Sequence, residues 1–232
     1  CFLTSCVSVE RQQFFGSTQG SYYSIIYYDE QNRNFSREFD SIFKDVESTL
    51  SLWDENSVIR RVNRNDSAVV LNKIFVDNFN YAMRAAELSE GYFDPTVGPL
   101  VSAWGFHFKE GMKMSPEIVD SIRSLVGYKK VRVEDGKVIK GNPNMTLDFN
   151  AVAQGYTADM IGDFLLSQNV DDFLVDIGGE IMVRGNKPNG KFWTVGIEKP
   201  AEDMNAERIV QEIVELKDKS IVTSGNYRKY VE

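Results

Sequence analysis

The sequence predicts an α+β fold in a single domain, on three observations. Helical periodicities crowd the early part of the chain, and antiparallel strand and hairpin signals crowd the late part. No internal repeat, low-complexity tract or linker follows Gly16. A repeating βαβ plan would alternate the two kinds of signal along the whole length, and this chain does not. The composition permits a sizeable core, since 42% of the 232 residues are hydrophobic and 12% aromatic.

Taken in order, residues 8–16 read as a polar tether. Ser21 to Tyr28 is β-branched and aromatic and reads as a strand. Phe39, Ile42, Phe43, Val46 and Leu50 share one helical face. Phe75, Phe79, Ala82, Met83 and Ala86 form a second stripe, which Gly91 ends. A third helix has Ser115 at its N-cap, Pro116 at its first position, a stripe of Ile118, Ile122 and Leu125, and Gly127 after it. Tyr128–Val133 and Lys137–Ile139 flank Asp135-Gly136, a type I′ hairpin signal. Met145–Asp148 reads as a strand leading to Asn150, an N-cap for a helix running from Ala151 toward Ser167. Strands are expected at Phe173–Ile177, Ile181–Arg184, Phe192–Ile197, Ile209–Leu216 and Ser220–Thr223, with Asn189-Gly190 joining two of them.

Charge narrows the range of functions. With 26 basic and 34 acidic residues the net charge is −8, which repels phosphate backbones and argues against nucleic-acid binding. A phosphate-bearing ligand would need local help from backbone amides, a helix N-terminus or a metal ion. The only histidine, His107, sits in an aromatic run and reads as structural, and multi-histidine metal sites are excluded within these residues. Both cysteines, Cys1 and Cys6, lie at the extreme N-terminus. Leu3-Thr4-Ser5-Cys6 is similar to a bacterial lipobox, so residues 1–16 are expected to be a signal remnant and tether and Cys6 a lipid anchor. The expected location is then the bacterial cell envelope, facing the periplasm or the cell exterior. The domain is expected to span 17–232.

Four segments could carry chemistry. Gly91-Tyr92-Phe93-Asp94-Pro95-Thr96-Val97-Gly98-Pro99-Leu100 sets an aromatic pair beside an acid on a stiff, irregular backbone. It reads either as a heterocycle-binding loop or as a turn that Asp94 caps. Asp148-Phe149-Asn150-Ala151-Val152-Ala153-Gln154-Gly155 brings an acid to a helix N-terminus, where free amides can receive a pyrophosphate or Asn150 can simply cap. Asp176-Ile177-Gly178-Gly179-Glu180 allows a close backbone approach or a plain hairpin turn. Thr223-Ser224-Gly225-Asn226-Tyr227-Arg228 could meet a phosphate or form a surface turn. None is a Walker A loop or a G-x-G-x-x-G dinucleotide fingerprint.

In this order, and with Thr18-Gln19-Gly20-Ser21 before them and Trp104-Gly105-Phe106 among them, the segments resemble the ApbE-type FAD:protein FMN transferases. The resemblance implies an α+β domain that binds FAD with Mg²⁺ and moves FMN onto a threonine hydroxyl of an acceptor protein, releasing AMP. By position it implies FAD contacts from Gln19, Trp53, Tyr92, Phe93, Asp94, Asp148 and Gln154, and a metal-ligand oxygen at Ala151, where only the backbone carbonyl is on offer. Position 154 is Gln where many members carry Lys or Glu. The family's catalytic histidine and most of its metal ligands are expected beyond Glu232, so the domain is expected to be truncated at its C-terminus. FAD pyrophosphatase activity, or FAD binding and trafficking without catalysis, are the alternatives.

Overall fold

The computed structural model describes residues 9–106, 113–199 and 209–224. The lipobox with Cys1 and Cys6, His107, and Gly225 to Glu232 lie outside the described residues. The chain divides into two compact units, one of residues 1–43 with 154–232 and the other of residues 44–153. Helices and antiparallel sheets together make the α+β class that the sequence predicts.

The first unit is built on a five-stranded antiparallel sheet ordered β1-β2-β5-β6-β9. Its strands are β1 (Glu10–Thr18), β2 (Ser21–Asp29), β5 (Phe173–Ile177), β6 (Glu180–Arg184) and β9 (Lys219–Val222). The segment expected to be a tether is therefore largely a strand. Its exposure alternates, with Gln12, Phe14, Gly16 and Thr18 half-buried and Gln13, Phe15 and Ser17 exposed, as fits an edge strand with one half-buried face. β1 and β2 close through Gln19 and Gly20, whose φ values of 50° and 70° fit a type I′ turn.

Side chains alternate across this sheet, and each face has its own cover. Ile25, Tyr27, Phe173, Val175 and Ile177 bury against Phe35, Phe39 and Phe43 of the helical side and against Ala158, Ile161 and Leu165. Phe39 and Phe43 belong to α1 (Ser36–Leu50), and the last three to α6 (Asn150–Ser167). The opposite face packs Ile26, Tyr28, Leu174 and Ile181 around Trp193 and Leu216. Those two residues come from a separate ribbon of β7 (Trp193–Glu198) and β8 (Val210–Leu216). Asn189-Gly190 thus turns within the connection between β6 and β7, which pair with different partners, and makes no hairpin. Buried Tyr27 donates its hydroxyl to Arg33 O at 2.6 Å, and burial pushes its pKa up to about 12. Beside it, Asp29 is held by Arg33 through two side-chain bonds of 2.7 and 3.0 Å.

The second unit carries α2 (Val58–Asn63), α3 (Lys73–Leu88), α4 (Gly98–Ala103), α5 (Pro116–Arg123) and the hairpin β3 (Val131–Glu134)–β4 (Lys137–Lys140). Ser115 and Pro116 occupy the cap and first-turn positions that the sequence assigns them. Asp135 and Gly136 have φ of 48° and 71°, as the hairpin signal requires. Tyr128–Lys130, expected to be strand, is a single 3-10 turn. Met145 and Leu147 are buried, but Met145–Asp148 forms no strand, and at Leu147 a side chain takes both backbone groups. Asn63 donates to Leu147 O at 2.9 Å and accepts from Leu147 N at 2.7 Å. Phe149 then packs edge-on against Phe75 and Phe79 of α3.

Candidate functional site

The residues that the sequence singles out fall into two groups, one in each unit. In the second unit, the Asp-Pro-Thr loop is organised by its acid. Asp94 Oδ1 accepts from Thr96 N at 2.8 Å and from Thr96 Oγ1 at 2.6 Å, while Oδ2 accepts from Tyr128 N at 2.8 Å. Buried Thr96 in turn accepts from Gly127 N at 2.7 Å. Asp94 therefore knits the turn ahead of α4 to the segment after α5. The helix begins at Gly98, with Val97 as its cap. Gly98 has no room for a side chain, since a Cβ there would lie 2.6 Å from Thr146 Oγ1.

The loop is tied to the second motif through Asp148 N, which donates to Pro95 O at 2.8 Å. Asp148 Oδ1 accepts from Asn150 N at 2.8 Å. The acid, and not Asn150, serves the start of α6, which begins one residue earlier than expected and leaves Asn150 exposed in its first turn. Asp94 and Asp148 are thus neighbours through the Pro95 bond. Phe93 is half-buried and anchored by its amide on Ser89 Oγ, whereas Tyr92 is 97% exposed and offers both ring faces. Trp53 lies in the turn between α1 and α2, 59% exposed, with its backbone N–H on Ser51 Oγ. Trp104 and Phe106 are also exposed. Such rings can stack on a flat heterocycle.

In the first unit, Gln19 and Gln154 are placed by the hairpin tip and by α6. Gln19 Nε2 donates to Thr157 Oγ1 at 2.7 Å, and Thr157 is fully buried one helical turn beyond Gln154. The β5–β6 turn packs against the same place. Gly178, at φ 64°, would put a Cβ 2.6 Å from Gln154 Nε2 and 2.9 Å from Ser21 Oγ. Only glycine serves both the backbone angle and the approach. Parity separates the two acids of the motif. Glu180 pairs with Ile177 and shares the helical face, where its Oε2 lies 3.9 Å from the Cβ position of Gly155. Asp176 shares the other face with Tyr22, whose hydroxyl donates to it at 3.2 Å, and it also accepts from Gly179 N at 2.9 Å. Burial raises the pKa of Asp176 against the lowering effect of those two bonds. Burial, and then the neighbouring Asp176 charge, raises that of Glu180.

Sequence reasoning missed Ser21 and Thr157 as site residues, and it named Asp176 and Glu180 within the glycine-turn segment without giving either a role. The i, i+3 spacing from Gln154 was the one available signal for Thr157. Ala151 is exposed in the first turn of α6, where its carbonyl faces the amide four residues on. Among the described residues no three His, Cys, Asp or Glu side chains gather as a cation cage.

Known proteins share this fold. Residues 19–232 match a model of the ApbE family. An FAD:protein FMN transferase of Vibrio cholerae serotype O1 is 33% identical over 237 residues, covering 96% of this chain and 68% of the relative. One of Haemophilus influenzae is 29% identical, covering 94% and 66%. The chain thus spans about two thirds of the length of these curated relatives. Among solved structures, the flavin transferase ApbE from Vibrio cholerae superposes with a TM-score of 0.83 at 29% identity, over 97% of this chain and 74% of that one. The Pseudomonas stutzeri flavinyl transferase ApbE, apo form, gives 0.82 at 28% identity, over 97% and 73%. A family match from Gln19 onward, joined to this likeness of fold, makes the chain a member of the ApbE family, whose curated relatives are FAD:protein FMN transferases.

Proposed function

We propose that the protein transfers FMN from FAD to a threonine hydroxyl of an acceptor protein, releasing AMP, in a Mg²⁺-dependent reaction. The observation that supports it most is the bond from Asp148 N to Pro95 O, which sets the Tyr92-Phe93-Asp94 loop beside the start of an 18-residue helix. Aromatic faces, hydrogen-bond acceptors and a helix N-terminus are the three things a flavin nucleotide asks for. In this reading Trp53, Tyr92 and Phe93 offer ring faces to FAD. Asp94 and Asp148 repel a pyrophosphate, so their oxygens suit hydroxyl and N–H donors of the sugar or base. In the first unit, Gln19 and Gln154 carry side-chain amides that can bond polar edges of a nucleotide. The pyrophosphate calls for a cation in a chain of net charge −8. Mg²⁺ bound there would neutralise that charge. Among the described residues no three His, Cys, Asp or Glu side chains complete a site for it, and no step is routed through it.

The envelope location and the Cys6 lipid anchor belong to the same proposal and rest on the Leu3-Thr4-Ser5-Cys6 motif. The test is incubation of the full protein with FAD, Mg²⁺ and threonine-bearing acceptor proteins, read as in-gel flavin fluorescence. A covalently labelled acceptor and free AMP are expected. Tight FAD binding with no labelling of several acceptors would overturn the transferase reading. FMN release without acceptor would point to pyrophosphatase activity, and intact FAD in the presence of Mg²⁺ to a carrier.

A further inference from the structure

We propose that Thr157 is a positioning residue for Gln19, fixing that side-chain amide as an acceptor for an N–H edge of the bound flavin nucleotide. The inference rests on the reading that Gln19 contacts FAD. Gln19 stands at the tip of the β1–β2 hairpin, where nine cross-strand pairs from Glu10↔Asp29 to Thr18↔Ser21 set its backbone. Its side chain has three rotatable bonds, and leaving them free would have to be offset each time a ligand is held. Thr157 removes that freedom. Its hydroxyl, fully buried on α6, takes the Gln19 Nε2 at 2.7 Å. Threonine on a helix is confined to two χ1 rotamers, and full burial limits the movement of the anchor further.

The planar amide converts this one bond into a direction. With Nε2 turned to the helix, Oε1 is carried by the same rigid group and presents an acceptor. The rings of FAD carry matching donors, the imide N–H of the isoalloxazine and the exocyclic amine of adenine. The alternative is that the bond merely satisfies a buried hydroxyl. The two differ in what removal of the hydroxyl does to the ligand.

The experiment replaces the hydroxyl by a methyl group of the same shape in the full protein, Thr157→Val, beside Thr157→Ser, Gln19→Ala and the double variant Gln19→Ala/Thr157→Val. FAD dissociation constants are measured by calorimetry, and thermal melts monitor the fold. Thr157→Val is expected to weaken FAD about five- to tenfold, as loss of one oriented hydrogen bond does, and Thr157→Ser to restore binding to within about twofold. The double variant should bind no more weakly than Gln19→Ala alone, because the effect of Thr157 runs through Gln19. In the ligand-free protein, the side-chain amide resonances of Gln19 should move in Thr157→Val and not in Thr157→Ser. Wild-type affinity in Thr157→Val, or additive losses in the double variant, would overturn the inference while leaving the FAD reading intact. Failure of the wild-type protein to bind FAD would overturn that reading, and the ligand half of this inference with it.

Discussion

Replacing Asp94 by alanine separates a structural acid from a purely ligand-binding one. The carboxylate accepts three hydrogen bonds, from Thr96 N, Thr96 Oγ1 and Tyr128 N, at 2.8, 2.6 and 2.8 Å. Bonds to a charged acceptor are worth about 1.5–3 kcal/mol each when buried, so the gross loss lies near 4.5–9 kcal/mol. Asp94 is only half-buried, and water entering the gap would recover much of that for the two amides. The Thr96 hydroxyl, fully buried, would gain least from water. A net loss of about 2–4 kcal/mol is expected for Asp94→Ala. Asp94→Asn keeps one acceptor oxygen and turns an NH₂ toward one of the donors, so about 1–2 kcal/mol is expected. Urea unfolding followed by circular dichroism measures both, with a lower midpoint and an unchanged slope. If Asp94→Ala unfolds within about 0.5 kcal/mol of wild type, the scatter of a neutral surface substitution, the organising role of this acid in the loop is refuted.

Asp29 should govern acid stability of the first unit. Its pKa is lowered, first by the side-chain bond to Arg33, so the stability it contributes is present above the unfolded carboxylate value of about 3.9 and is lost as pH falls through the folded value. The gap in unfolding free energy between wild type and Asp29→Asn should therefore be widest near neutral pH and close in acid; a gap independent of pH would refute this. Gly178→Ala should destabilise by about 1–2 kcal/mol, from the left-handed φ of 64° and the 2.6 Å approach of Gln154. It should also weaken FAD binding by displacing that amide, and a crystal structure with Gln154 unmoved would refute the second effect.

Much of the fold was legible because its signals were local. The Ser115-Pro116 helix start, the Asp135-Gly136 turn and the strand Phe173–Ile177 each needed only neighbouring residues, and each stands where the sequence put it. What was illegible depended on distant partners. Residues 8–16 read as a tether because most of their side chains are polar, yet from Glu10 onward they pair with β2. Met145–Asp148 looks like a strand, and its amide and carbonyl are claimed by Asn63, a residue 84 positions away. The candidate site divides the same way. Asp94 and Asp148 could be named from their motifs, but the bond that joins their segments runs through Pro95 O, which no motif announces. Thr157 was hidden for the same reason, since its partner sits 138 positions earlier at a hairpin tip.

The β1–β2 ladder also works as a ruler. Phe14 lies stacked on Tyr27 with its ring edge toward Phe39, and the five residues from Phe14 to Thr18 count out the distance to Gln19. Adding or dropping one residue in that stretch would force a choice: keep Phe14 in the aromatic cluster and misplace the glutamine, or keep the glutamine and turn Phe14 to water. Change along this strand should accordingly come as substitution, never as a shift in length.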